Sequence, residues 1–157
     1  MSSLDQLYQQ IILDHSRRRE GSGPVDGFAT TSHQVNPTCG DEVTLGVTVD
    51  ESGRLTGLAW DGDGCAISQA SLSIMNDLVQ GADQETVRQL YAAMDTMMHS
   101  RGQGTDDELL DLLGDASALE GTSKFANRIK CSLLGWLALR DALAQSGYDI
   151  TQEDPNE

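Results

Sequence analysis

Asn36-Pro37-Thr38-Cys39-Gly40-Asp41 runs straight into Glu42-Val43-Thr44-Leu45-Gly46-Val47-Thr48-Val49, and these two segments organise the rest of the chain. In the second, Val43, Leu45, Val47 and Val49 alternate with Thr44, Gly46 and Thr48, the period of a half-buried strand. In the first, Pro37 fixes its own torsion and restricts Asn36, and Gly40 permits left-handed torsions. A tight turn there sets the Cys39 thiol and the Asp41 carboxylate toward one point. The other two cysteines, Cys65 and Cys131, stand far along the chain, so a site using all three has to be assembled by the fold.

Working outward, Thr30 to Val35 reads as a short strand entering the turn, and Asp50-Glu51-Ser52-Gly53 as a turn leading to a partner strand, Leu55 to Trp60. The first third is thus a small antiparallel meander. Before it, Leu4, Leu7, Tyr8, Ile11 and Ile12 recur at helical spacing and form a stripe that docks on a core. After it, Asp61-Gly62-Asp63-Gly64 reads as a loop placing Cys65 at the start of a helix over Ala66–Val79, where unpaired amides and the helix dipole favour negative charge on sulfur. Further helices are predicted over Gln84–Met98 and, as an acidic turn or two, Asp106–Leu113. The last runs over Lys124–Gln145 and is capped by Thr122 or Ser123. On that helix Phe125, Ile129, Leu133, Trp136 and Leu143 share one stripe. Cys131 falls roughly opposite, beside Lys124, Asn127 and Arg128.

The chain of 157 residues is long enough for one packed domain without disulfide staples, expected over 1–148 with an acidic flexible tail over 149–157. A formal charge of −15 argues against nucleic acid or an anionic membrane as partner. No apolar run is long enough to span a bilayer, and the first helix lacks the order of a secretory signal, so a cytoplasmic protein is expected. An odd count of three cysteines in a reducing compartment leaves core packing, metal binding or reactive thiols as their occupations.

Taken singly, each cysteine reads as a small buried hydrophobe. Together they read as a site, because one lies on a Pro/Gly turn, one at a helix start and one on a polar helix face. Asp41 reads equally as a ligand or as a turn residue at a strand start. With it, three thiols suit zinc or one edge of an iron–sulfur cluster in number and softness. Zinc held by three thiolates and a carboxylate carries a net double negative charge, and Lys124, Arg128 and Lys130, clustered around the third cysteine, stand where compensation is wanted. Those three also read as a plain solvated basic face. His15, His33 and His99 have no ligand spacing and read as surface or helix-end residues, and Met94, Met97 and Met98 as core filling.

Asn36-Pro37-Thr38-Cys39-Gly40-Asp41, Gly62-Asp63-Gly64-Cys65-Ala66-Ile67-Ser68 and Ser123-Lys124-Phe125-Ala126-Asn127-Arg128-Ile129-Lys130-Cys131 resemble the three cysteine motifs of the IscU/NifU-N superfamily, in its SufU branch. Leu7-Tyr8 through Asp14-His15 also resembles that family's first helix. Arg17-Arg18-Arg19-Glu20 departs from the family's Pro-Arg-Asn-like segment. The branch rests on Lys130, where IscU-type scaffolds carry a histidine, and on the added Gln84–Gly104 region.

The resemblance implies an α+β fold, a small three-stranded antiparallel sheet against about five helices in a single domain, and zinc held by Cys39, Asp41, Cys65 and Cys131. It further implies sulfur transfer, with Cys39 accepting persulfide sulfur from a PLP-dependent cysteine desulfurase of the SufS type and passing it to downstream Suf proteins. Arg128 and Lys130 would steer that partner or balance charge. The competing expectations are a [2Fe–2S] scaffold on the same ligands and a zinc module that only staples the fold.

Overall fold

The computed structural model describes residues 3–38, 40–103 and 105–150. Element order is α1 (Ser3–Arg18), β1 (Thr30–Asn36), β2 (Asp41–Val49), β3 (Leu55–Asp63), α2 (Ala66–Val79), α3 (Gln84–His99), α4 (Asp107–Leu113), a 3-10 run (Gly114–Lys124) and α5 (Ala126–Gln145). The three strands form one antiparallel sheet in the order β1-β2-β3, the meander the alternating pattern predicts. Asn36 pairs directly with Asp41 across the first hairpin. Gly40 there has φ +75 and donates its amide to the Asn36 carbonyl at 2.8 Å, the left-handed residue this turn requires. In the second hairpin the Arg54 amide and then the Ser52 hydroxyl hold the Asp50 carboxyl below its ordinary range.

Val43, Leu45 and Val47 point from β2 into the core, where α5 packs across β1 and β2 and α2 packs against α5. On the opposite face Phe28 lies over Gly46, where a Cβ would come within 2.6 Å of its ring, so glycine in mid-strand serves a close approach. Met94, Met97 and Met98 are fully buried on α3, the core filling expected of them. Ile150 joins the core, two residues past the expected boundary at 148, and 151–157 lie outside the described residues.

Several expectations are corrected. The Asp61-Gly62-Asp63 loop is the end of β3: Asp63 pairs with Glu42, and a Cβ on Gly62 would stand 2.3 Å from the Glu42 carbonyl, so strand crowding selects that glycine. Thr122 and Ser123 cap nothing. They are buried in the 3-10 run, where Thr122 Oγ1 lies 2.9 Å from Ser132 Oγ, and α5 starts after Phe125 with no side-chain cap. Phe125, placed on the core stripe, is 53% exposed beneath the Arg128 guanidinium. Leu7 of the first stripe is 55% exposed, and the side chain of Leu4 lies outside those described.

His15 is no surface residue. It is 1% exposed, with Nδ1 2.9 Å from Ser73 Oγ and Nε2 3.0 Å from Asp115 Oδ2, because α2 and the 3-10 run close over the last turn of α1. His33 and His99 are exposed and face Glu42 and Asp95. His15→Ala is expected to cost about 2–3 kcal/mol, since it opens a cavity and removes one of the two partners of the buried Ser73 hydroxyl, which keeps only the Glu20 amide. Urea unfolding of the metal-free chain measures it, and metal affinity of the folded protein is expected to stay unchanged.

Candidate metal centre

Three elements bring the candidate ligands together. Asp41 starts β2, Cys65 stands immediately before α2, and Cys131 lies in the second turn of α5. One ligand atom from each lies within 4.8 Å of the others. Asp41 is completely buried, Cys131 is 3% exposed and Cys65 is open to solvent, so the cluster is a buried floor with one exposed edge. Cys39, expected as acceptor and fourth ligand, lies outside the described residues, between Thr38 and Gly40 on the β1–β2 turn.

The position of Cys131 corrects the expectation of a polar, cation-bearing face. Helix α5 is covered by the sheet on one side and by α2 on another, so Ser132, Leu133, Leu134 and Trp136 are buried in succession and a one-stripe reading fails. Lys124, Arg128 and Lys130 are all exposed. Arg128 stacks on Phe125 with its Cζ 5.0 Å from the ring centroid, and the stem of Lys124 lies over Gly102.

Polar donors inside the cluster surround its anionic atoms instead. The Cys65 amide donates to Asp41 Oδ1 at 2.9 Å, and Ser68 Oγ stands 3.5 Å from the same oxygen. Asn36, 4% exposed, aims its Nδ2 at both Asp41 Oδ2 (3.5 Å) and Cys131 Sγ (3.7 Å), while its Oδ1 accepts the Thr38 amide at 3.2 Å. A neutral amide between carboxylate and sulfur relieves their repulsion without burying a cation. In the sequence Asn36 stands out only as a residue restricted by Pro37. The signal that would have found it is its place opposite Asp41 in a hairpin of this length. Gly64 completes the fit, since a Cβ there would meet Asp41 Oδ1 at 2.4 Å and Ser68 Oγ at 2.5 Å.

Two sulfurs and a carboxylate oxygen suit a borderline-soft cation, and zinc in a tetrahedral site spaces its ligand atoms roughly 3.5–3.8 Å apart. Separations within 4.8 Å need only a small contraction to reach that, so the residues fit zinc.

Residues 7–132 match the NifU-like N terminal domain. The chain is 39% identical over 156 residues to the iron–sulfur cluster assembly scaffold protein IscU of Streptococcus pyogenes serotype M1, covering 99% of this chain and 94% of that one. It is 37% identical over 144 residues to the zinc-dependent sulfurtransferase SufU of Bacillus subtilis, covering 92% and 94%. Among solved structures, the N-terminal NifU-like protein of Brucella abortus superposes with a TM-score of 0.77 at 26% identity, covering 92% of this chain and 96% of that one. A shared fold along nearly the whole length, with the cysteine motifs meeting at one point in it, makes this chain a member of the NifU-like N-terminal domain family, the IscU/NifU-N superfamily of iron–sulfur cluster assembly.

Proposed function

We propose that this protein is a zinc-dependent sulfurtransferase of iron–sulfur cluster assembly. It acts in the cytoplasm, takes persulfide sulfur on Cys39 from a SufS-type PLP-dependent cysteine desulfurase and passes it to downstream Suf proteins. The observation that carries this reading is the convergence of Asp41, Cys65 and Cys131 on one half-open point, at the foot of the turn bearing Cys39. Zinc, held by Cys39, Asp41, Cys65 and Cys131, would supply one thing when bound, which is to keep the sulfurs as thiolates.

The chain's own residues do the rest. Asp41 and Cys131 on the buried floor and Cys65 at its exposed edge keep their places, oriented by the Cys65 amide, Ser68 and Asn36. Cys39, two residues before Asp41 in the sequence, is assigned as the sulfur that reaches the partner. Its thiolate attacks the outer sulfur of the desulfurase persulfide, a new S–S bond forms on Cys39, and the old one breaks to release the partner's cysteine as thiolate. One sulfur atom moves, the charge balances, and no external oxidant is needed. Arg128, Lys130 and Lys124 are exposed near Cys131 in the sequence and would meet an anionic partner surface or balance the site's charge.

The name of the Streptococcus relative favours a second reading, in which the same ligands carry a [2Fe–2S] cluster. Metal analysis of the purified protein, with desulfurase turnover measured in its presence and absence, separates the two. Zinc near one per chain with strong stimulation of turnover is expected. Iron and sulfide with little stimulation would replace this reading with the scaffold.

A further inference from the structure

Arg19 follows the last residue of α1 with φ 49, a left-handed torsion that is uncommon for a side-chain-bearing residue and marks a conformation enforced by its surroundings. Its guanidinium lies over the buried Trp60 ring, Cζ 4.9 Å from the centroid. Nη1 donates to Gln69 Oε1, and Nη2 donates to the Gly62 carbonyl at 3.2 Å and to Ser22 Oγ at 3.3 Å. Gly62 is the penultimate residue of β3 and Gln69 lies in the first turn of α2, so one rigid fork ties together both ends of the segment bearing Cys65. Trp60 is fixed in turn by donating Nε1 to the Glu20 carbonyl at 2.8 Å. Arg17 and Arg18, by contrast, are exposed.

Between those anchors Asp63, Gly64 and Cys65 are exposed; Asp63 still pairs with Glu42 at the end of β3, but Gly64 and Cys65 lie outside both β3 and α2, a glycine-bearing step with conformational freedom to restrict. The Cys65 amide reaches Asp41, and Ser68 beside Gln69 faces the same carboxylate, so the spacing of Gly62 from Gln69 sets where the Cys65 sulfur stands relative to Asp41. We propose that Arg19 is a positioning residue for Cys65: by spanning Gly62 and Gln69 from its seat on Trp60, it holds the Cys65 loop in the metal-ready geometry before any ion arrives. The proposal deepens the zinc reading above and rests on it for the ion's identity.

Zinc competition against a chromophoric chelator tests it in the full chain, using the wild type, Arg19→Ala, Arg19→Lys, Gln69→Met and the Arg19→Ala/Gln69→Met pair. Arg19→Ala is expected to weaken zinc about 10- to 100-fold, the usual effect of losing a group that orients a ligand, and Arg19→Lys is expected not to restore it because an ammonium cannot span both acceptors. Gln69→Met is expected to weaken zinc less, with the pair no worse than Arg19→Ala alone, since both act through one contact. Should Arg19→Ala not fold, Gln69→Met carries the measurement.

A residue that merely stabilised the fold would lower the unfolding midpoint and leave zinc affinity of the folded protein unchanged. Unchanged affinity in Arg19→Ala, or fully additive losses in the pair, would overturn the proposal. Amide exchange in the metal-free protein stands apart from the identity of the ion. Faster exchange at Gly64 and Cys65 in Arg19→Ala supports the clamp even if the wild type holds no zinc, and unchanged exchange there overturns it.

Discussion

Cys39→Ala is expected to abolish sulfur acceptance, lowering desulfurase stimulation by at least roughly 100-fold, while the chain stays folded. The fold expectation follows from the core, whose buried apolar residues come mainly from β2, β3, α2, α3, the α4 to 3-10 segment and α5, with none among the described residues of that turn. The activity expectation follows from chemistry, because a methyl group has no lone pair with which to open a persulfide bond. Mass spectrometry after incubation with the desulfurase and cysteine reads it directly: the wild type gains the mass of one sulfur atom on Cys39, and the variant gains none there. Cys65 is also exposed, so transfer of sulfur to Cys65 in the variant at the wild-type rate would move the acceptor role to that residue and defeat the assignment. The experiment also bears on the scaffold reading, under which the variant loses iron and sulfide but the wild type shows no persulfide intermediate.

The sheet and α2 were legible because their signals are local. Alternation in Val43–Val49 needs only a core on one side, and Ala66–Val79 is bracketed by Gly-rich sequence and by Gly81. The Cys131 environment was not legible, since period analysis assumes one wet face and α5 is enclosed by both the sheet and α2. Asp41 stayed undecided between turn residue and ligand for a similar reason: its burial and its donors come from α2 and β1, elements distant in sequence or opposite in the hairpin. His15 shows the same limit, since Ser73 and Asp115 lie far away in the chain. Charge reasoning asked correctly for compensation at the cluster but looked to lysines and arginines. The fold answers with Asn36 and a backbone amide, groups without the desolvation cost of a buried cation.

Asp41 carries the second large effect. Asp41→Ala is expected to weaken zinc by more than roughly 100-fold, since even groups one step removed from a metal are worth 10- to 100-fold and Asp41 would donate directly. It also leaves the buried Asn36 Nδ2 with one acceptor fewer and the Cys65 amide without its partner, which adds about 1–3 kcal/mol of destabilisation in the metal-free protein. These two losses are separable by linkage. A ligand bound only by the folded state raises its stability by about 2.7 kcal/mol at a concentration one hundred times Kd, so zinc is expected to raise the wild-type unfolding midpoint by several degrees. In Asp41→Ala the metal-free midpoint should fall, and the further rise on adding zinc should nearly vanish. If the variant instead shows the wild-type rise from a lowered baseline, Asp41 serves only as the residue that opens β2, and the ligand set must be sought among the cysteines alone.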